Sequence, residues 1–201
     1  TTNKNTFISD PYRLLKVDTL SNSPIEEETI SYISSKIRQN KRDILIFSDF
    51  RHGIFNSRSL PVLRSAIPKK IFKVGDSQVA SRWGNITEFK KFDLITPNEK
   101  EARFVLADQD STVGKLVGNL IKKSYPKNLM LKLGERGVFC KSSNKIQPFS
   151  IGSFADKVVD PVGAGDAMLA YSALSLYMSK SLICASIIGT MAAAIECEQD
   201  G

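Results

Sequence analysis

The string Asp160–Ala170, DPVGAGDAMLA, gathers the residue types that phosphoryl chemistry needs. Gly163, Ala164 and Gly165 have side chains too small to shield their own backbone, and a nearly apolar helix follows at once. At a helix N-terminus the first amide N–H groups lack intrahelical acceptors, and the helix dipole adds partial positive charge. Both favour an anion. Asp166 stands among those donors. An ionised carboxylate there would repel a phosphate unless it had a task, and taking the proton of a hydroxyl that attacks a phosphoryl group is such a task. The competing reading is that Asp166 merely caps the helix.

Other candidates are spread along the chain. Asn98 and Glu101 in TPNEKEA are three residues apart near a predicted helix start, so both can face one point. One amide and one carboxylate reaching a hydrated magnesium ion through water suits that ion's chemistry. The alternative is ordinary capping, with Pro97 as the first helical residue. Asp76 in KVGDSQ ends a predicted strand at the carboxyl edge of the sheet, where open α/β folds bind ligands, and is a second carboxylate for the same point. Gly134 and Gly137 in LKLGERGV read as hairpin turn residues or as a close approach to a nucleotide. His52 is the single histidine and sits beside Gly53 in a turn. Alone it supports neither a metal cluster nor a Ser-His-Asp triad.

These residues need elements to hold them. Thr1–Pro24 is the least helix-like stretch and includes the extended run RLLKVD. Helical spacing begins with Ile25, Ile30, Ile33 and Ile37. Strands are predicted at Asp43–Ser48, Lys70–Val74, Asp93–Thr96 and Asn128–Leu133, helices at Ser57–Ile67, Asn98–Leu106 and Thr112–Ser124. Asp43–Ser48 is continuously apolar, as in a strand covered on both faces. Gly134–Phe149 reads as a hairpin with its tip at Ser142–Asn144, and Lys157–Val159 as a strand-like approach to the glycine turn. Gly165–Met178 and Leu182–Glu198 are nearly apolar all round and read as core helices. Alternation of strands and helices predicts an α/β fold with a Rossmann-like, doubly wound, mostly parallel sheet.

DPVGAGDA resembles the signature of the ribokinase-like (PfkB) carbohydrate kinases, and three further stretches match that family in order: IFSDFRHG (Ile46–Gly53), TPNEKEA (Thr96–Ala102) and LKLGERGV (Leu131–Val138). Within it, GDSQ, FDLITPNEKEARFVL and RLLKVD resemble the heptose-phosphate kinase branch that feeds ADP-heptose synthesis. The resemblance implies an ATP- and Mg2+-dependent kinase with Asp166 as base and Gly163–Gly165 as phosphate cradle. Asn98 and Glu101 would serve the metal, and Gly134 and Gly137 the nucleotide. Met191 and Ala194 would flank the adenine. Lys132 stands where relatives commonly carry Thr, so a positive charge replaces the usual hydroxyl contact. The resemblance also implies a carboxyl-terminal portion of the fold. Residues 1–24 would be a remnant of the substrate- and lid-proximal region, and 25–201 the ATP-binding core. The amino-terminal acceptor-binding part would be missing, sheet edges or apolar faces left exposed, and sugar kinase turnover weak or absent. Fructose phosphate, a nucleoside or a vitamin alcohol remain alternative acceptors, and a non-catalytic nucleotide-binding module an alternative role.

Composition limits the rest. Two hundred and one residues, 42% of them hydrophobic, make one ordinary domain whose core needs no disulfides. Cys140, Cys184 and Cys197 are odd in number and lack CxxC spacing, which fits a reducing cytoplasm. Lys+Arg 28 against Asp+Glu 21 leaves +7, a balance that attracts nucleic acid, anionic membrane or a phosphorylated small molecule. The cations fall in scattered pairs such as Lys41-Arg42 and Lys122-Lys123, as on a solvated surface rather than a nucleic-acid stripe. The longest uncharged run, Ser181–Ile195, is too short for a membrane span. The expected partners are therefore ATP and a sugar phosphate, with neither nucleic acid nor membrane, and a homodimer in the full-length protein.

Overall fold

The computed structural model describes residues 3–9, 12–19, 23–39, 41–78, 86–143 and 147–199. Asn3–Ser9 (β1) and Tyr12–Thr19 (β2) pair antiparallel as a separate two-stranded ribbon. The rest forms one six-stranded sheet in the order β3-β4-β5-β6-β7-β8. Its strands are Ile44–Asp49 (β3), Phe72–Ser77 (β4), Leu94–Ile95 (β5), Asn128–Lys132 (β6), Val138–Ser142 (β7) and Phe149–Ile151 (β8). β3 to β6 run parallel, so their carboxyl ends share one edge, while β7 and β8 turn back antiparallel. Each parallel step needs a crossover, which puts the intervening helices on the sheet's faces.

Helices cover both faces. Glu27–Gln39 (α1), Ser59–Ala66 (α2), Glu99–Leu106 (α3) and Val113–Ser124 (α4) lie on one side. Their apolar stripes bury Ile30, Leu63 and Leu116 against Phe47, Leu129 and Leu131 of the sheet. Acidic Glu27 and Glu28 in the first turn of α1 and basic Lys36 and Arg38 in the last complement its dipole. On the other side Ala164–Ser179 (α5) and Leu182–Cys197 (α6) bury Met168, Leu169, Ala173 and Ala185 over Val74, Met130 and Val138.

Several expectations are corrected. β3 is an edge strand, and Ile46 on it is 38% exposed, so that run is not covered on both faces. α5 and α6 are not buried all round: they bury one side against the sheet and each other, while Tyr171, Leu174, Met178 and Ile195 stay exposed. Lys157–Val159 is irregular, because the amides of Val159 and Asp160 bond the Cys197 carbonyl (2.7 and 3.1 Å) instead of a strand. Pro97 precedes the N-cap rather than opening α3. Of the expected hairpin tip, Asn144 lies outside the described residues; Ser142 closes β7, and Ser143 follows as a bend. The paired surface cations are exposed at each of Lys41, Arg42, Lys69, Lys70, Lys90, Lys91, Lys122 and Lys123.

Candidate active site

Because β4, β5 and β6 run parallel, the residues at or just past their carboxyl ends reach the same edge: Asp76 near the end of β4, Thr96 to Glu101 after β5, and Lys132 at the end of β6. The turn from β6 to β7 and the N-terminus of α5 complete the rim of a cleft of about 870 Å3. Asp76, Asn98, Glu101, Lys132, Gly134, Gly137, Gly163, Ala164, Gly165, Asp166 and Ala194 all line it. Eleven of the twelve residues that the motifs and the family resemblance assign to the site therefore meet at one place. Met191 is the exception. It is 44% exposed on α6 and is not part of the lining, which takes Thr190, Ala193, Ala194 and Cys197 from that helix.

The glycine turn is built by its backbone. Gly163 is the N-cap of α5 with φ 90°, a left-handed conformation that disfavours any side chain, and a Cβ there would meet the Glu196 carboxylate. The loop before it is pinned at Asp160, whose side chain accepts from the Val162 amide at 3.0 Å, and by the two bonds to Cys197. No side chain caps α5, and the amides of Gly165 and Asp166 find no acceptor among the described residues. Asp166 sits in the first turn, exposed on the cleft, and accepts no hydrogen bond from any described residue. Simple capping therefore does not account for it.

Opposite lies a charged cluster. Asp76 is buried, and its carboxylate accepts from Thr96 Oγ1 at 3.0 Å and from Lys132 Nζ at 3.1 and 3.3 Å. Lys132 Nζ is also 3.6 Å from the point where a Cβ on Gly165 would stand, so the ammonium reaches the first turn of α5. Glu101 and Asn98 form a reciprocal capping box: the Glu101 amide donates to Asn98 Oδ1 (2.8 Å) and the Asn98 amide to Glu101 Oε2 (2.7 Å). Asn98 Nδ2 adds a third bond, to Glu101 Oε1 at 2.7 Å. Burial pushes the Glu101 carboxyl up to about 7, against the pull of Lys132 and with the repulsion of Asp76 adding to the rise.

The β6–β7 turn is tight. The Leu133 amide bonds the Gly137 carbonyl (2.8 Å) and the Gly137 amide that of Gly134 (2.9 Å), with positive φ at both glycines. A Cβ on Gly137 would stand 2.1 Å from the Ile151 carbonyl oxygen, so β8 allows no side chain there. Asp49 and His52 stand apart from the cleft. Asp49 is buried against Arg51 and Ser77, and His52 lies 6.4 Å from the Phe50 ring, centroid to centroid. Phe50 itself lines the cleft, as do Gln78, and Lys4 and Lys16 of the ribbon. Sequence reading missed all four; Lys4 and Lys16, on opposite strands of a hairpin, show their common direction only once the register Lys4–Asp18 and Thr6–Lys16 is known.

Do these residues suit a magnesium ion? No group of three or more His, Cys, Asp or Glu side chains is placed to hold a metal among the described residues. Glu101 and Asn98 nonetheless keep oxygen lone pairs beyond their mutual hydrogen bonds, on the cleft wall. That set suits the water shell of a hydrated ion carried in by phosphates better than direct ligation.

A sheet with helices on both faces, with this cleft at the carboxyl edge of its parallel strands, defines a ribokinase-like α/β fold. The chain belongs to the pfkB family of carbohydrate kinases, whose family model matches residues 62–201. It is 29% identical over 203 residues to the bifunctional protein HldE of Desulfatibacillum aliphaticivorans, and 26% identical over 207 residues to that of Wolinella succinogenes. Each match covers 97% of this chain but 40% and 41% of those relatives, so the chain spans about two fifths of their length. Phosphofructokinase-2 from Escherichia coli in complex with potassium superposes with a TM-score of 0.77 at 20% identity, covering 93% of this chain and 62% of that one. Ribokinase from Thermotoga maritima gives 0.69 at 24% identity, covering 93% and 60%.

Proposed function

We propose that the cleft binds ATP and that the chain works as the nucleotide half of a sugar kinase with Asp166 as catalytic base. The observation that carries this is the turn at Gly163–Asp166: the Gly165 and Asp166 amides, without an acceptor among the described residues, and the unengaged Asp166 carboxylate open onto one cleft. The amides receive the phosphates. Asp166 accepts the proton of the acceptor hydroxyl, whose oxygen forms a bond to the γ-phosphorus as the bond to the β–γ bridging oxygen breaks and ADP leaves. Gly134 and Gly137 let the backbone approach the nucleotide, and Ala193 and Ala194 leave room for a flat base against α6. Asn98 and Glu101 would hold a magnesium ion through its water, with Asp76 behind them. Bound there on the phosphates, the ion supplies charge neutralisation as negative charge shifts to the leaving group. Positioning and electrostatics carry most of such a reaction.

For the acceptor, the similarity to proteins named HldE and the heptose-kinase resemblance support a heptose phosphate. The test is ATP-dependent phosphorylation of heptose 7-phosphate in full-length context, since turnover by this chain alone is expected to be weak or absent, with ATP affinity measured in parallel. Asp166→Asn should lower turnover by about a thousandfold, the size of a general-base contribution, and leave ATP affinity within about twofold. Equal turnover in both proteins would remove Asp166 from the chemistry; nucleotide binding without turnover in either would leave a binding module.

A further inference from the structure

We propose that Lys132 is a resident cation for the nucleotide phosphates, sharing the charge neutralisation that other kinases leave to a divalent metal, so that nucleotide binding by this chain depends only weakly on magnesium. The inference rests on the ATP-site reading above and deepens it.

Three observations meet at the Lys132 ammonium. It is largely buried, with a side-chain exposure of 15%, and pairs with a carboxylate of 5% exposure. Its Nζ has three N–H donors, and the recorded hydrogen bonds go to one carboxylate, that of Asp76. It also stands over Gly165, whose amide, like that of Asp166, is without an acceptor among the described residues. An ammonium beside the positive end of a helix is a like-charge arrangement that an anion between them would relieve. With Nζ 3.6 Å from the Cβ position of Gly165, a phosphate on the amides of Gly165 and Asp166 would lie beside the ammonium. Asp76 then holds the ammonium in place, anchored in turn by Thr96 Oγ1, much as a carboxylate orients a histidine.

The charge count points the same way. Asp76 and Glu101 would draw a divalent ion strongly if both were unpaired, but Lys132 already offsets one of them. The wall facing the phosphates thus carries a fixed monovalent cation and a diminished pull on free metal. Ammonium contacts to phosphate are charge-assisted hydrogen bonds and do not require water exchange around a metal ion.

The experiment is calorimetric titration of the chain with ATP, once with magnesium and once with EDTA, on wild type, Lys132→Thr and the double variant Lys132→Thr/Asp76→Asn. The double variant removes the carboxylate that the single change strands, so that loss of folding does not cloud the result. Wild type should bind in EDTA within about tenfold of its affinity in magnesium, and both variants should lose a further factor of about ten to a hundred in EDTA, the span of one charge-assisted bond. Magnesium should recover most of that loss. Variants that bind ATP in EDTA as tightly as wild type, or a wild type that loses more than about a hundredfold without magnesium, would overturn the role of Lys132 while leaving the ATP site standing. No ATP binding under either condition would instead overturn the ATP site, and the role of Lys132 with it.

Discussion

Glu101 is the residue whose surroundings most alter its chemistry. Burial holds its carboxyl protonated up to about 7, where an ordinary carboxylate ionises near 4.5. Between those values the folded chain keeps a proton that the unfolded chain has released, so this group's contribution to stability is fullest below about 4.5 and is lost as pH rises towards 7. Glu101→Gln cannot ionise, though it gives up the bond from Asn98 Nδ2. Denaturant unfolding at pH 5 and pH 7.5 should show a smaller fall in stability with rising pH in Glu101→Gln than in wild type, with Asp76 and Lys132 unchanged; equal falls would mean that Glu101 titrates normally. The type and spacing of Asn98 and Glu101 were legible in the sequence, and so was their position at a helix start. The alternative to metal binding there is ordinary capping with Pro97 as the first helical residue; the fold instead makes Asn98 the N-cap, and its reciprocal capping box with Glu101 still leaves oxygen lone pairs on the cleft side. What a linear reading lacked at Lys132 was distance: fifty-six residues separate it from Asp76, and only parallel β4 and β6 bring their ends together.

Among the elements, the pair α5 and α6 does most to place the candidate site, since one supplies the glycine turn and the other lends Thr190, Ala193, Ala194 and Cys197 to the cleft lining. They approach closely at Gly189, where a Cβ would fall 1.9 Å from Ser172 Oγ and 3.2 Å from the Met168 carbonyl. Ser172 is buried and already bonds the Ala185 carbonyl, so it has nowhere to retreat. Gly189→Ala should therefore cost about 1–3 kcal/mol in urea unfolding through overpacking. Gly118→Ala, on α4 where nothing lies within 4 Å, should instead raise stability by about 0.5–1 kcal/mol through helix propensity. A stabilising Gly189→Ala would show that the helices have slack between them. Every long strand and helix of the sheet domain was legible from periodicity. The exposed sides of α5 and α6 were not, because uniform apolarity says that a helix could be buried all round without saying what covers it. Lys157–Val159 misled for a related reason: a valine-rich approach reads as a strand, but its amides are taken by the end of α6.

Across the molecule, the +7 balance is spread over solvated pairs, while the cations that matter to the cleft are few: Lys132 inside it, Lys4 and Lys16 from the β1–β2 ribbon. No helix among the described residues is long and apolar enough to cross a membrane. The ribbon packs no core of its own and leaves Phe7, Ile8, Tyr12, Leu14 and Leu15 exposed. The candidate site residues other than Met191 converge on one edge of one sheet, where, on the proposed reading, the phosphates of ATP would displace water from the head of α5. Backbone amide chemical shifts followed by NMR as ATP is added report on that contact directly. The largest changes should fall on Gly163, Ala164, Gly165 and Asp166, with smaller ones at Lys132, Gly134 and Ala194. Saturation by ATP with those four amides unmoved, and the shifts gathered elsewhere on the surface, would contradict the site itself.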